Sequence, residues 1–182
     1  MKDLTGLEYL GKIYFEKEQW LDARSAFEKY RDWLQSQNLL TSEEASYLSC
    51  QIACCSVKLK DFLKAQEEYI KAISYNSERR EPYIEMGLMY ERLNLYTEEI
   101  NLLEKALKVT KKQKDDEKYW GIDLLNHLSF ACFNSGDFVK AMGYLTLASL
   151  QFPEYNFNNE IDMCRKYWEE RGGNQNDPLF NM

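Results

Sequence analysis

Small and apolar residues recur along this chain at fixed offsets. Leu10-Gly11-x-x-Tyr14 is followed by Trp20, Ala23, Phe27 and Tyr30, and Ile52-Ala53-x-x-Ser56 is followed by Phe62, Ala65, Tyr69 and Ala72. Met86-Gly87-x-x-Tyr90 then leads to Tyr96, Glu99, Leu103 and Ala106, and Leu128-Ser129-x-x-Cys132 to Phe138, Ala141, Leu145 and Ala148. Steps of three, four and seven residues put each set on one face of a helix. Each copy therefore predicts two helices, in which a small residue on the first lets the second approach closely.

The distance from Gly11 to Ala23, Ala53 to Ala65, Gly87 to Glu99 and Ser129 to Ala141 is 12 residues every time. Between copies the period is 42, 34 and 42, so the first and third carry eight extra residues, expected between pairs in the polar stretches Gln35 to Ser42 and Lys111 to Lys118. The predicted pairs span about 4–36, 43–75, 81–112 and 118–151. A closing helix over 158–171 presents Ile161, Cys164, Tyr167 and Trp168 on one side, and residues 172–182 read as a polar tail. Asp61 and Asp137 are placed to cap second helices, Thr41-Ser42-Glu43-Glu44 to open a first helix, and Pro82 and Pro153 lie at pair boundaries.

Composition narrows the function classes. With 30 Asp and Glu against 23 Lys and Arg, the formal charge of -7 argues against a broad nucleic-acid surface or an anionic membrane partner. Neither an apolar leader core nor a membrane-length apolar run is visible, so no membrane insertion and a cytoplasmic address are expected. Five cysteines, three of them crowded at Cys50, Cys54 and Cys55, suit a reducing compartment and read as small packing residues. His127 is the single histidine, and no second paired motif accompanies Cys50 and Cys54, so neither a metal site nor a cofactor is expected.

The recurring residues are similar to the tetratricopeptide (TPR) pattern W-x2-L-G-x2-Y…A-x3-F…P over roughly residues 4 to 153. Ser56 and Cys132 replace its tyrosine, and Glu99 stands where an alanine belongs, which bears on the packing of the third pair. The resemblance implies an all-α, right-handed superhelical stack of four helix pairs with a C-terminal capping helix, a single domain over 1–171. It also implies a non-catalytic module for protein or peptide partners. More narrowly, Arg80-Glu81-Pro82-Tyr83-Ile84-Glu85-Met86-Gly87 and Lys118-Tyr119-Trp120-Gly121, with the two extensions, resemble the helical tail of bacterial family 2 glycosyltransferases. That alternative makes the chain an accessory region of such an enzyme, or its stand-alone partner.

In repeats of this kind the outward positions of each first helix line a concave wall. Counted from the small residue, these are Glu8, Lys12 and Phe15; Cys50, Cys54 and Val57; Ile84, Leu88 and Glu91; and Asn126, Phe130 and Phe133. Phe130 and Phe133 are either anchors for a partner segment or part of the packing against the closing helix. Tyr167 and Trp168 form a candidate face for self-association. A clamp for a C-terminal carboxylate is not expected, since Glu8, Cys54, Leu88 and Phe130 occupy its places and Lys12 is the lone cation. The connector from Lys108 through Lys111, Lys112 and Lys114 to Asp115, Asp116 and Glu117 reads as a docking point or a solvated charge run. No nucleophile with its base, metal cluster or phosphate cradle is visible, so no catalytic residue is expected.

Overall fold

A computed structural model describes residues 6–110 and 117–173, with side chains over 6–109 and 121–173. Nine helices and no strands occur among the described residues. They are α1 (Gly6–Glu16), α2 (Trp20–Ser36), α3 (Ser42–Lys58), α4 (Phe62–Tyr75), α5 (Glu81–Arg92), α6 (Tyr96–Thr110), α7 (Glu117–Ser135), α8 (Phe138–Gln151) and α9 (Asn158–Glu170). None of the described helices is long and apolar enough to cross a membrane.

Tertiary contacts divide the chain into two units that meet within α5, Met1–Met89 and Tyr90–Met182. In the first, α1 packs on α2, α2 on α3 and α3 on α4; in the second, α6 packs on α7, α7 on α8 and α8 on α9. The core of the first unit gathers Ala23, Phe27, Leu34, Leu48, Ile52 and Cys55, with Phe15, Tyr30, Trp33 and Tyr47 around it. Ile122, Leu125, Ala148 and Phe152 form a matching cluster in the second. The small positions do what the spacing requires: Ala23, Ala65 and Ala141 are fully buried, and a Cβ on Gly11 would come within 2.6 Å of the Phe27 ring.

The eight extra residues of the first copy are helix, not loop, contrary to the sequence expectation. Five residues join α2 to α3 and five join α4 to α5, whereas α2 has 17 residues against 14 in α4, and α3 has 17 against 12 in α5. The three and five additional residues account for the insertion. Polar side chains there satisfy helix surfaces as readily as loops, so polarity alone misplaces them. Of the second extension, residues 111–116 lie outside the described residues, and with them most of the Lys108 to Glu117 connector.

Within each pair the turn repeats one geometry. Glu18, Lys60, Asn94 and Gly136, spaced 42, 34 and 42 apart, all sit in the left-handed region, with φ of 58°, 61°, 56° and 87°. In each case the next amide donates to the carbonyl five residues earlier, as from Asp61 to the Ser56 carbonyl at 2.9 Å and from Asp137 to the Cys132 carbonyl at 2.9 Å. Asp61 and Asp137 then cap the following helices by accepting from the Lys64 and Lys140 amides, and Thr41 and Glu44 form a reciprocal capping box on α3. Gly172 and Gly173, assigned from sequence to the tail, instead close α9 in the same way. Gly173 N–H donates to the Trp168 carbonyl at 3.0 Å, and Gly172 has φ 87°.

An L residue in this region is strained by ~1–2 kcal/mol, against ~0.5–1 kcal/mol of extra backbone entropy that glycine loses on folding. Lys60→Gly is therefore expected to stabilise the protein by about 0.5–1 kcal/mol, a rise in Tm of about 1–4 °C. Thermal unfolding followed by circular dichroism measures it, and an unchanged or lower Tm would show that the turn is not strained.

Candidate partner-binding surface

The first-helix positions separate into engaged and available side chains. On α1, Glu8 and Lys12 lie one turn apart and form an ion pair. The Lys12 ammonium sits 5.6 Å from the centre of the Tyr47 ring on α3, and the Arg79 guanidinium sits 5.4 Å from the same ring. The hydrogen bond from Lys12 to Glu8 raises the lysine pKa, and burial raises that of Tyr47. Arg79 is held in turn by Glu81 at 3.2 Å. Phe15 belongs to the margin of the core, edge-on to Trp20 at 5.1 Å.

Two turns further along α3 from Tyr47 the wall presents a thiol. Cys54 is half-buried, its Sγ 3.4 Å from the Tyr69 hydroxyl. The hydrogen bond with Cys54, together with burial, pushes the Cys50 thiol well above its usual range. Burial likewise raises Cys55 and Cys132 to about 12, so these groups are inert thiols at neutral pH. All five cysteines are free. Cys50, Val57 and Ile84 are buried and belong to the packing of the first unit, while Leu88 is half-buried. Neighbouring helices cover those positions, which outward counting on an isolated helix does not reveal.

In the second unit Asn126 is half-buried and its carbonyl accepts from the Ser129 hydroxyl at 2.8 Å. Phe130 is 48% exposed. Phe133 is not comparable to it: its ring lies edge-on to Phe138 and Tyr167 at 5.3 Å each, and Phe138 stacks on Tyr167 at 6.0 Å. The Arg171 guanidinium adds a cation 5.0 Å from the Phe138 ring centre. Tyr167 therefore helps dock α9 on α7 and α8 while remaining 42% exposed, and Trp168 is half-buried against Gly173.

Two groupings escaped the sequence reading. Tyr47 and Arg79 join Lys12 without lying at the counted wall positions. Glu91, Glu99 and His127 converge, with ligand atoms all within 4.8 Å of one another. The one signal for the latter was Glu99 in a place where the other copies have alanine. Burial, with the like charge of Glu91 second, raises the Glu99 carboxyl to about 8.

No family model matches the chain, and no curated protein matches it. Solved structures do. The N-terminal domain of stress-induced protein-1 (STI-1) from C. elegans is similar at TM-score 0.64 and 19% identity, covering 69% of this chain and 98% of its own. A MamA structure is similar at TM-score 0.64 and 18% identity, covering 81% of this chain and 72% of its own. The TPR-like repeats of a Podosopora anserina protein of kinesin light chain type give TM-score 0.69 at 14% identity, covering 100% of this chain and 93% of that one. At these identities the likeness establishes the fold: a solenoid of TPR-like helical repeats.

Proposed function

We propose that this chain is a non-catalytic interaction module that holds a peptide or helical segment of a partner protein against the first-helix wall of its first unit. The observation that carries this reading is the Lys12–Tyr47–Arg79 arrangement. It presents a partly buried aromatic ring, two cations already fixed by Glu8 and Glu81, and the half-buried Cys54 further along the same helix. A ring pre-set by neighbouring charges loses little freedom when a partner covers it, which is the property of an interface anchor. The repeat fold supports the reading, since such arrays expose a continuous wall along successive first helices. A role beside a glycosyltransferase rests on the sequence resemblance alone and draws nothing further from the side chains.

Selecting a displayed random-peptide library on the immobilised chain tests the proposal. Enriched peptides are expected to share a motif and to lose about 30-fold or more in affinity against Tyr47→Ala, the size of an interface hot spot. Failure to enrich any motif, or undiminished binding to a folded Tyr47→Ala, counts against the proposal. Light scattering on the purified chain addresses the α9 face. A dimer that dissociates on Tyr167→Ala would move the interaction there.

A further inference from the structure

Among the described residues two carboxylates are fully buried, and they are opposites. Glu68, in the first unit, receives Arg31 and Lys71. Glu99, in the second, is 0% exposed, and among the described residues it is the one buried carboxylate whose two oxygens both lack a hydrogen-bond partner. A buried carboxylate without a partner is disfavoured strongly enough that such groups are normally paired, protonated or bound to a metal. Among the described residues no lysine or arginine is paired with it. The groups that face it are Glu91 at the end of α5, which adds acceptors, and His127 in the middle of α7, which adds an imidazole.

We propose that Glu91, Glu99 and His127 form a binding site for one divalent transition-metal ion of the zinc class. Glu99 projects from the alanine position of the repeat, so its carboxylate is aimed into the space between the three helix segments and cannot turn to solvent. His127 Nδ1 lies 3.4 Å from Glu91 Oε2. That is the edge of a tetrahedron whose metal–ligand bonds are ~2.1 Å, as for zinc with nitrogen and oxygen donors. Glu99 is fixed, whereas Glu91 and His127 are 29% and 38% exposed and free to close the remaining distance. Their exposure also gives the ion its path in and leaves a fourth position for water or a partner's side chain.

The donor set selects the class. An imidazole with two carboxylates suits zinc and its first-row neighbours, while calcium takes six to eight oxygens and magnesium keeps most of its waters. Two carboxylates and a neutral imidazole cancel the charge of a divalent ion, and binding removes the repulsion between Glu91 and Glu99. Burial remains the main cause that raises the Glu99 carboxyl, and the ion offsets the second, the like charge of Glu91. The ion would displace the proton that Glu99 otherwise holds.

Cobalt(II) is the probe, added to the full 182-residue chain after chelator treatment. One ion per chain is expected, with visible d–d absorption, no thiolate-to-metal charge-transfer band, and displacement by zinc but not by calcium or magnesium. Glu99→Ala installs the residue found at 23, 65 and 141, and His127→Ala alters a half-exposed position, so circular dichroism should show both folded. Each is expected to weaken binding by about 100-fold or more, beyond the 10–100-fold typical of losing only a partner of a ligand. Absence of saturable binding would overturn the site. So would binding retained within a few-fold in either folded variant, or a thiolate band placing the ion at Cys50 and Cys54. Equal competition by calcium would overturn the ion class.

Discussion

Arg31→Ala is expected to cost about 3 kcal/mol of stability, the lower end of the loss seen when one partner of a buried ion pair is removed. Arg31 spans the first unit: its guanidinium donates to both oxygens of Glu68 on α4 and to the Ser49 hydroxyl on α3 at 2.9 Å. Glu68 is fully buried, so truncating the arginine leaves a charge that water cannot reach. Lys71, 2.8 Å away, and Lys64, 3.8 Å away, keep the loss from being larger. Burial pushes the Glu68 carboxyl upward, but the hydrogen bonds and charges of Arg31 and Lys71 outweigh it and hold the group below its ordinary value. Its stabilising contribution is thus full above the unfolded carboxylate range near pH 4.5 and is lost as pH falls through the lower folded value. Urea unfolding at pH 7 and at pH 3 measures both statements. A difference between wild type and Arg31→Ala that does not shrink on acidification would contradict them.

Glu99→Met is expected to do the reverse and stabilise the metal-free protein. Methionine fills a similar volume and removes a carboxylate that lacks partners. With the folded group raised to about 8 against an ordinary 4.5, the cost of keeping Glu99 at pH 7 is on the order of 3 kcal/mol, at about 1.4 kcal/mol per unit. The sign follows from proton binding: between the two values the folded state holds a proton that the unfolded state has released, so stability falls as pH rises through this window and levels off above it. Below about pH 4.5 both states are protonated and the penalty vanishes. In the presence of chelator, the variant's advantage should be near zero at pH 4.5, grow to pH 8 and then stay constant. An advantage independent of pH would mean that Glu99 is not a perturbed acid. Glu68 and Glu99 therefore titrate in separate windows, one below the ordinary carboxylate range and one above it.

The contrast between these residues shows how far residue patterns reach. Both are glutamates on the buried side of a second helix. Glu68 offered no signal, and Glu99 signalled only as a departure from alanine. What separates them is the neighbouring element: α2 brings Arg31 to Glu68, whereas α7 brings His127 to Glu99, and α5 adds a like charge. The same holds for the candidate wall. Phe130 and Phe133 are indistinguishable by spacing, but α9 places Tyr167 against Phe133 and leaves Phe130 exposed.

The all-α class, the helix pairing and the caps were legible in the sequence because each depends on residues within about one repeat: apolar steps of three and four, an aspartate three residues before an amide, a small residue 12 positions before its counterpart. Two local features were missed for an equally local reason. The left-handed turn positions hold Glu18, Lys60 and Asn94 instead of glycine, and the eight extra residues of the first copy are polar in a way that fits helix or loop. Tertiary structure alone decided which wall positions are covered, which carboxylate is neutralised, and that Glu91, Glu99 and His127 share one space. Those outcomes join side chains as much as 37 residues apart, and burial and charge depend on what the neighbouring helix supplies, which no periodicity along the chain records.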